Sequence, residues 1–360
     1  MIIAGGGTGG HIFPAIAIGH ALQRLQPGTE LLFVGAKGKM EMEKVPQEGF
    51  EIIGLDIAGF NRSSMWKNIS LPYKLIKSRM QAQIIVKQFK PTAIVGVGGY
   101  ASFPILHAGQ TMNIPTLIQE QNSFAGKSNK ILGRRAKAIC VAYGNMEQFF
   151  PKERIVMTGN PVRKSISDMS RTSEEGKQWF GLANDETAIL IVGGSQGARS
   201  VNESIHHSLE ELMKENVQLI WQTGKHNFEQ AKQQVEKYNG RVKVYDFIKE
   251  MDYAYAAADI VVSRAGALAI AELCIAGKPV IFVPLSSAAE DHQTSNAMAL
   301  VRHNAALLVK DNEAKTELVE KIKMVLHDSA MQEIMSKNLK AMAIRDADER
   351  IARKVMEIAR

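Results

Sequence analysis

One pattern occurs twice in this chain and limits the folds open to it. The stretch "IIAGGGTGGHIFPAIAIGHALQRL", beginning at residue 2, passes from a short apolar, β-branched run through clustered glycines into a helical pattern with Ile18, Leu22 and Leu25 on one face. The stretch "AILIVGGSQGARSVNESIHHSLEEL", beginning at residue 188, does the same. A strand that turns through glycine into a helix opens a doubly wound parallel sheet, and a chain that restarts the motif calls for two such sheets. With 360 residues there is enough chain for two separate cores.

The segments between fit that frame. In the first half "MIIAG", "ELLFVG", "FEIIGL", "TAIVGVGG", "PTLIQE", "AICVA" and "RIVMTG" read as buried strands. Helical patterns over about residues 14–25, 72–89, 101–112 and 126–133 alternate with several of them. After residue 188 come "VQLIWQTG", "VKVYDFI", "DIVVSRAG", "KPVIFVPL" and "AALLVK", again interleaved with helices. The expected class is α/β, with a first domain over 1–160 and a second over 161–345. The polar stretch "TGNPVRKSISDMSRTSEEG" marks the join. A last helix, about 346–358, is expected to pack back on the first domain.

Several classes are disfavoured. Cys140 and Cys274 stand far apart in apolar surroundings, and the nine histidines show no ligand spacing, so neither a disulfide framework nor a metal site is indicated. The chain enters its first strand without the charged leader of a signal peptide. The uncharged run 92–119 is long enough to span a bilayer, but Gly96, Gly98, Gly99, Pro104, Gly109 and Pro115 break it into strand, loop, helix and strand. Charge is uneven: residues 1–160 carry 18 basic and 9 acidic side chains, the remainder 26 and 28. A basic half suggests an anionic partner, either nucleic acid or a membrane surface, against the plainer reading of a solvated face.

The glycine loops carry the chemistry. Gly5, Gly7 and Gly10 match the G-x-G-x-x-G spacing of a dinucleotide site, but the second strand ends in Gly35, followed by Lys37, where an acid should bind the ribose. An NADP-type site, another phosphate cradle and a tight turn all remain open there. The second loop, Gly193-Gly194-Ser195-Gln196-Gly197-Ala198, places small residues and a hydroxyl at a helix N-terminus, a good seat for a diphosphate. In "SRAGALAIAELCIAG" a further helix begins near Gly266 and Ala267, and Glu272 is placed to accept two hydrogen bonds from a ribose diol, or is simply an acid in a helix's early turns.

The ordered set "GGGTGGHIFPAIAIGHAL", "VGVGGYASFP", "EQN" with "AGKSNK", "GNPVR", "GGSQGAR" and "SRAGA…AELCIAGKPVIFVP" closely resembles the MurG family over essentially the whole chain. These are the UDP-N-acetylglucosamine transferases acting on undecaprenyl-pyrophosphoryl-muramoyl-pentapeptide. The resemblance implies a GT-B fold, two Rossmann-like domains facing across a cleft, and no metal or other cofactor. It also implies attachment at the cytoplasmic face of the inner membrane, with no nucleic acid partner. The reaction would be the last cytoplasmic-side step in building the lipid-linked peptidoglycan disaccharide, and other cell-wall synthesis proteins are expected partners. The basic first half would face the anionic bilayer through "MWKNISLPYKLIKSR", with Lys67, Lys74, Lys77 and Arg79 beside Met65, Trp66, Ile69 and Leu71.

Carried over by position, the resemblance puts Thr8, Gly9, Gly10, Asn122, Arg163, Ser195, Ile248, Ala267, Leu268, Ala269, Glu272 and Gln293 at the donor nucleotide-sugar. Ile248 would lie against the uracil, Glu272 on the ribose diol and Gln293 on the sugar hydroxyls. Gly7, His11 and Tyr100 fall on the acceptor side. The muramoyl 4-hydroxyl would attack the anomeric carbon with inversion, which calls for a base and for positive potential at the departing diphosphate. His11 is the first candidate base, with a role at helix entry as its plainer reading; Glu120 is the second. Three positions depart from the family pattern: Ala269 where Ser or Thr is common, Gln119 where His precedes "EQN", and His292 where Gln occurs. Met1 also stands closer to the glycines than is usual. Competing readings are another GT-B transferase with a different acceptor, an NADP-dependent oxidoreductase, and a nucleotide-sugar binding module.

Overall fold

The computed structural model describes residues 1–57, 71–194, 197–286 and 291–359, with backbone alone for 71–75. The chain divides into two compact units, Met1–Arg163 with Asp346–Arg360, and Lys164–Arg345.

Among the described residues the first unit holds seven strands: β1 (Ile2–Ala4), β2 (Leu32–Ala36), β3 (Glu51–Leu55), β4 (Ile94–Gly96), β5 (Thr116–Glu120), β6 (Ala138–Val141) and β7 (Ile155–Met157). All pair in parallel, in the order β3-β2-β1-β4-β5-β6-β7. The apolar runs of β1, β2, β4, β5 and β6 are continuous because both faces are covered, while the edge strands β3 and β7 stay partly exposed. Ile2 and Ala4 join Leu32, Val34 and Ile94 in the core beneath the helices Leu71–Phe89 and Ser102–Thr111. Ile3 points the other way and joins Phe33 and Val95 under the helix Gly9–Leu25. The final helix, Ala347–Ile358, contributes Ile351, Ala352 and Val355 to that second core, and Arg24 ties the two helices by an ion pair to Asp348 at 2.8 Å.

Among the described residues the second unit has six strands: β8 (Thr187–Val192), β9 (Val217–Gln222), β10 (Val242–Tyr245), β11 (Ile260–Ser263), β12 (Val280–Phe282) and β13 (Leu307–Leu308). They too are parallel, ordered β10-β9-β8-β11-β12-β13. Ile189, Ile191, Leu219, Trp221, Ile260 and Val262 form one core with the helices Arg199–Leu212 and Ala314–Leu326, while Leu190, Ile220 and Val261 are buried on the alternate face. In each sheet the strand order reverses beside the strand that precedes a glycine loop, between β1 and β4 and between β8 and β11. Open α/β sheets bind ligands beyond the carboxyl ends of strands at such points.

The uncharged run 92–119 is β4, a loop, the helix Ser102–Thr111 and most of β5. Among the described residues no helix is long and apolar enough to cross a membrane. Met65, Trp66, Lys67, Ile69 and Ser195 lie outside the described residues, as do the side chains of Leu71 and Lys74.

Candidate functional site

In the first unit three loops meet beyond β1, β4 and β5. The helix after β1 begins at Gly9, five residues earlier than the periodicity suggests, with Thr8 as its extended cap residue. Gly6 and Gly7 have φ of +140° and +91°, a region L side chains avoid, which is why the turn takes glycine there. The loop after β4 lies directly on this turn: a Cβ on Gly99 would sit 2.1 Å from the Gly6 carbonyl oxygen, and one on Gly98 would sit 2.7 Å from the His11 ring. His11 is thereby seated against the Gly98 backbone, with its Nδ1 3.2 Å from Thr8 Oγ1. Tyr100 is exposed beside Gly7. The two loops thus place Gly7, Thr8, His11 and Tyr100 together.

The loop after β5 is organised by Glu120, which is buried. Its Oε1 accepts from the Asn122 N–H at 3.1 Å and the Asn122 amide at 3.4 Å; its Oε2 accepts from the Gly126 N–H at 3.1 Å and Asn129 Nδ2 at 2.8 Å. Burial pushes the Glu120 pKa up, against the pull of these donors. A carboxylate with about four lone-pair sites that accepts four bonds is an anchor for the 121–126 turn, and Asn122 is placed by it. Gln119, the departure from the family's His, is likewise a brace: its amide donates to Asn160 at 2.9 Å and its carbonyl accepts from Gln121 at 2.8 Å. Gln121 reaches on to the Val97 carbonyl, and Asn160 to the Gln121 carbonyl, both at 2.9 Å. This buried amide network links the loops after β4 and β5 to the "GNPVR" segment that carries the half-buried Arg163.

One reading of the first loop is corrected. The Gly7 N–H, which an approaching pyrophosphate would need, already donates to Glu41 Oε2 at 2.9 Å, and Glu41 is 1% exposed. An acid stands instead in the helix Glu41–Gln47 beyond β2, and its carboxylate points into the glycine turn.

In the second unit, Gly194 and Gly197 have φ of +79° and +78°, and a Cβ on Gly197 would meet the Thr223 carbonyl oxygen at 2.1 Å. The turn feeds the helix Arg199–Leu212, whose cap residue, Ala198, has no side-chain oxygen to occupy the first amides. The buried Gln222 links two parts of the site: its Nε2 donates to the Gly194 carbonyl and its Oε1 accepts from the Ile248 N–H, both at 2.9 Å. Ile248 itself is 3% exposed, so its side chain is core, while its neighbour Phe247 is exposed. The helix Ala267–Ala276 starts at Gly266, with Ala267, Leu268 and Ala269 half-buried in its first turn. Glu272, one turn further in, is 8% exposed, and its Oε2 accepts from the Tyr255 hydroxyl at 3.1 Å. Gln293 opens the helix His292–Val301 and accepts the Leu285 N–H at 2.9 Å.

Sequence reasoning missed a polar brace behind these loops. Arg264, at the end of β11, donates to the Val283 carbonyl at 2.9 Å, to Asp311 Oδ1 at 2.6 Å and to Ser200 Oγ at 3.2 Å. Ser200 also donates to Asp311, and Ser286 donates to the other Asp311 oxygen at 3.1 Å. Burial alone would raise the Asp311 pKa; the Ser200 hydroxyl and the Arg264 guanidinium overcome it and hold the carboxyl below its ordinary value. The loops after β8, β11 and β12 are thereby tied to one ion pair. Its partners are 47 residues apart, and although Arg264 stands in "SRAGA", nothing in the sequence pairs it with Asp311. Among the described residues no cluster of His, Cys, Asp and Glu suits a metal ion.

The model for the glycosyltransferase family 28 N-terminal domain matches residues 1–141, and that for the family's C-terminal domain matches 188–351. A Cytophaga hutchinsonii protein named UDP-N-acetylglucosamine--N-acetylmuramyl-(pentapeptide) pyrophosphoryl-undecaprenol N-acetylglucosamine transferase is 51% identical over 359 residues, 99% of this chain and 96% of that protein. A Parabacteroides distasonis protein of the same name is 46% identical, covering 99% and 98%. The crystal structure of Acinetobacter baumannii MurG superposes with a TM-score of 0.80 at 29% identity, covering 99% of both chains, so the architecture is GT-B.

Proposed function

The chain belongs to glycosyltransferase family 28, and from that premise we propose that it transfers N-acetylglucosamine from UDP-N-acetylglucosamine to undecaprenyl-pyrophosphoryl-N-acetylmuramoyl-pentapeptide. The observation that carries the reading is the full-length likeness, about half of all residues, to proteins named for that reaction. The arrangement of the loops supports it.

In this reading the acceptor's muramoyl 4-hydroxyl attacks the anomeric carbon, the new C–O bond forms as the bond to the diphosphate breaks, and UDP leaves with inversion. The hydroxyl proton goes to His11 Nε2. That role requires the tautomer in which Nδ1–H donates to Thr8 Oγ1, so that Nε2 carries the lone pair. Geometry favours His11 over Glu120, whose two oxygens are committed to holding the 121–126 turn. Tyr100 is assigned to the acceptor.

Donor roles go to Thr8, Gly9, Gly10, Asn122 and Arg163 from the first unit, and to Ser195, Ala267, Leu268, Ala269, Glu272 and Gln293 from the second. The diphosphate charge is assigned to the amides opening the helix Arg199–Leu212 and to Arg163, without a metal. Glu272 receives the ribose diol. Uracil recognition is assigned to the backbone around Ile248, because that side chain is buried. Membrane attachment is assigned to the helix Leu71–Phe89, where Ile76, Met80 and Ile84 are 63%, 59% and 52% exposed at spacings of four, with the exposed Arg79 and Lys87 on the same helix. This would hold the protein peripherally at the cytoplasmic face of the membrane.

Thermal shift with UDP-N-acetylglucosamine, UDP-glucose and NADPH separates this reading from its competitors. Stabilisation by UDP-N-acetylglucosamine above UDP-glucose is expected; stabilisation by NADPH alone would refute it.

A further inference from the structure

We propose that Glu41 is a positioning residue for His11: its carboxylate occupies, from inside the protein, the amide seat that a substrate phosphate takes in other strand–glycine–helix turns, and so fixes the turn that carries the imidazole. The inference rests on the assignment of His11 as the base.

Glu41 lies 34 residues from Gly7 in sequence, yet its carboxylate spans the gap between two strand ends. Oε2 accepts the Gly7 N–H at 2.9 Å and Oε1 accepts the Ala36 N–H at 3.0 Å. Two glycines make room for it. A Cβ on Gly6 would sit 2.3 Å from the carboxyl carbon, and one on Gly35 would sit 2.4 Å from Cγ. Gly35 is the position where a dinucleotide-binding strand would end in an acid, so the missing acid and the buried one have a common cause: Gly35 is small because Glu41 passes over it.

The contact is passed on to His11 through backbone. Gly6 is held between Glu41 on one side and Gly99 on the other, where a Cβ would approach the Gly6 oxygen to 2.1 Å. A Cβ on Gly5 would sit 2.2 Å from Val97 Cγ2 and 2.8 Å from the Gly98 carbonyl oxygen, and Gly98 faces the His11 ring. Gly99 on Gly6 and Gly5 on the Gly98 carbonyl rest backbone on backbone, while the Glu41, Val97 and His11 side chains fill the other glycine faces, which leaves few torsions to absorb a shift. Moving the Gly6–Gly7 turn therefore moves Thr8, the Nδ1 partner of His11, and the surface on which the ring rests. A fixed anion at the Gly7 amide also bars a second one from it, since two carboxylate- or phosphate-like charges cannot share one N–H without strong repulsion. The Gly7 amide is thus closed to a substrate phosphate, and the turn serves to hold a base.

The test compares Glu41→Gln, Glu41→Ala and His11→Ala in the full chain, measuring kcat for sugar transfer and UDP affinity by calorimetry. Gln offers one acceptor where two N–H groups point, so Glu41→Gln should lower kcat about 10- to 100-fold while UDP affinity stays within twofold. Glu41→Ala opens a hole that a small anion fits: added formate should restore part of its kcat, and formamide should not. This variant also decides the matter if Glu41→Gln does not fold. The proposal is overturned if Glu41→Gln keeps kcat within threefold of the parent, if UDP affinity falls in step with kcat, or if formamide rescues as well as formate. An inactive His11→Ala beside a normal Glu41→Gln removes only the positioning role; a fully active His11→Ala removes the base assignment and this proposal with it.

Discussion

Replacing Gly98 by alanine adds one methyl group against the imidazole assigned as the base. The new Cβ would lie 2.7 Å from His11 Cδ2 and 2.8 Å from Nε2. Ordinary contact requires about 3.4–4 Å, so the ring must move by about 1 Å, and a displacement of that size at a reacting group costs on the order of 100-fold in rate. That fall corresponds to about 2.7 kcal/mol of lost transition-state stabilisation. The φ of +91° at this position adds a folding cost of about 1–2 kcal/mol for alanine, which should lower Tm by a few degrees without unfolding the protein. The assay is transfer of labelled N-acetylglucosamine to the lipid-linked acceptor, with UDP affinity measured separately. Gly144→Ala, where an added Cβ meets nothing within 4 Å, is the control. The expected result is a kcat down about 100-fold, UDP affinity unchanged, and a control near the parent. A folded Gly98→Ala protein with kcat within threefold of the parent would refute the placement of His11 at the reacting hydroxyl.

Three other outcomes follow from the structure. Glu272→Gln should weaken UDP binding by about 1.5–3 kcal/mol in calorimetry, the worth of hydrogen bonds to a charged acceptor, while leaving the fold intact. Arg264→Met strands Asp311 and should lower unfolding free energy in urea by about 3 kcal/mol. Asp311 has a folded pKa below its unfolded one, so its contribution is present above the ordinary aspartate value and lost as pH falls through the lowered value; the gap between parent and variant should narrow below about pH 4. Changing Ile76, Met80 and Ile84 together to Glu should abolish sedimentation with anionic vesicles and leave UDP affinity unaltered, since those side chains are already exposed.

Much of the fold was legible because its signals are local. Each strand of the two described sheets lies within a run readable from the sequence, and the central strands are apolar throughout because both of their faces are buried. The first helix was read short because Gly9 and Gly10 look like loop residues, yet both lie within the helix. The site was legible where a turn demands a residue type, as at Gly7 and Gly197. It was illegible where side chains act across long separations. Glu41 reaches Gly7 over 34 residues and Arg264 reaches Asp311 over 47, and neither pair has a periodicity to betray it. The missing acid at Gly35 was the one available clue to Glu41. Ile248 shows the reverse limit: its place in the chain was clear, but only the folded structure shows that its side chain faces the core.

The central claim is tested most directly by incubating the protein with UDP-N-[14C]acetylglucosamine and undecaprenyl-pyrophosphoryl-N-acetylmuramoyl-pentapeptide in EDTA, then following label into the lipid fraction. Transfer of one sugar per acceptor, with equimolar UDP release and an inverted anomeric configuration, is the predicted result. UDP-sugar that is bound or hydrolysed while the lipid fraction stays unlabelled would contradict the account.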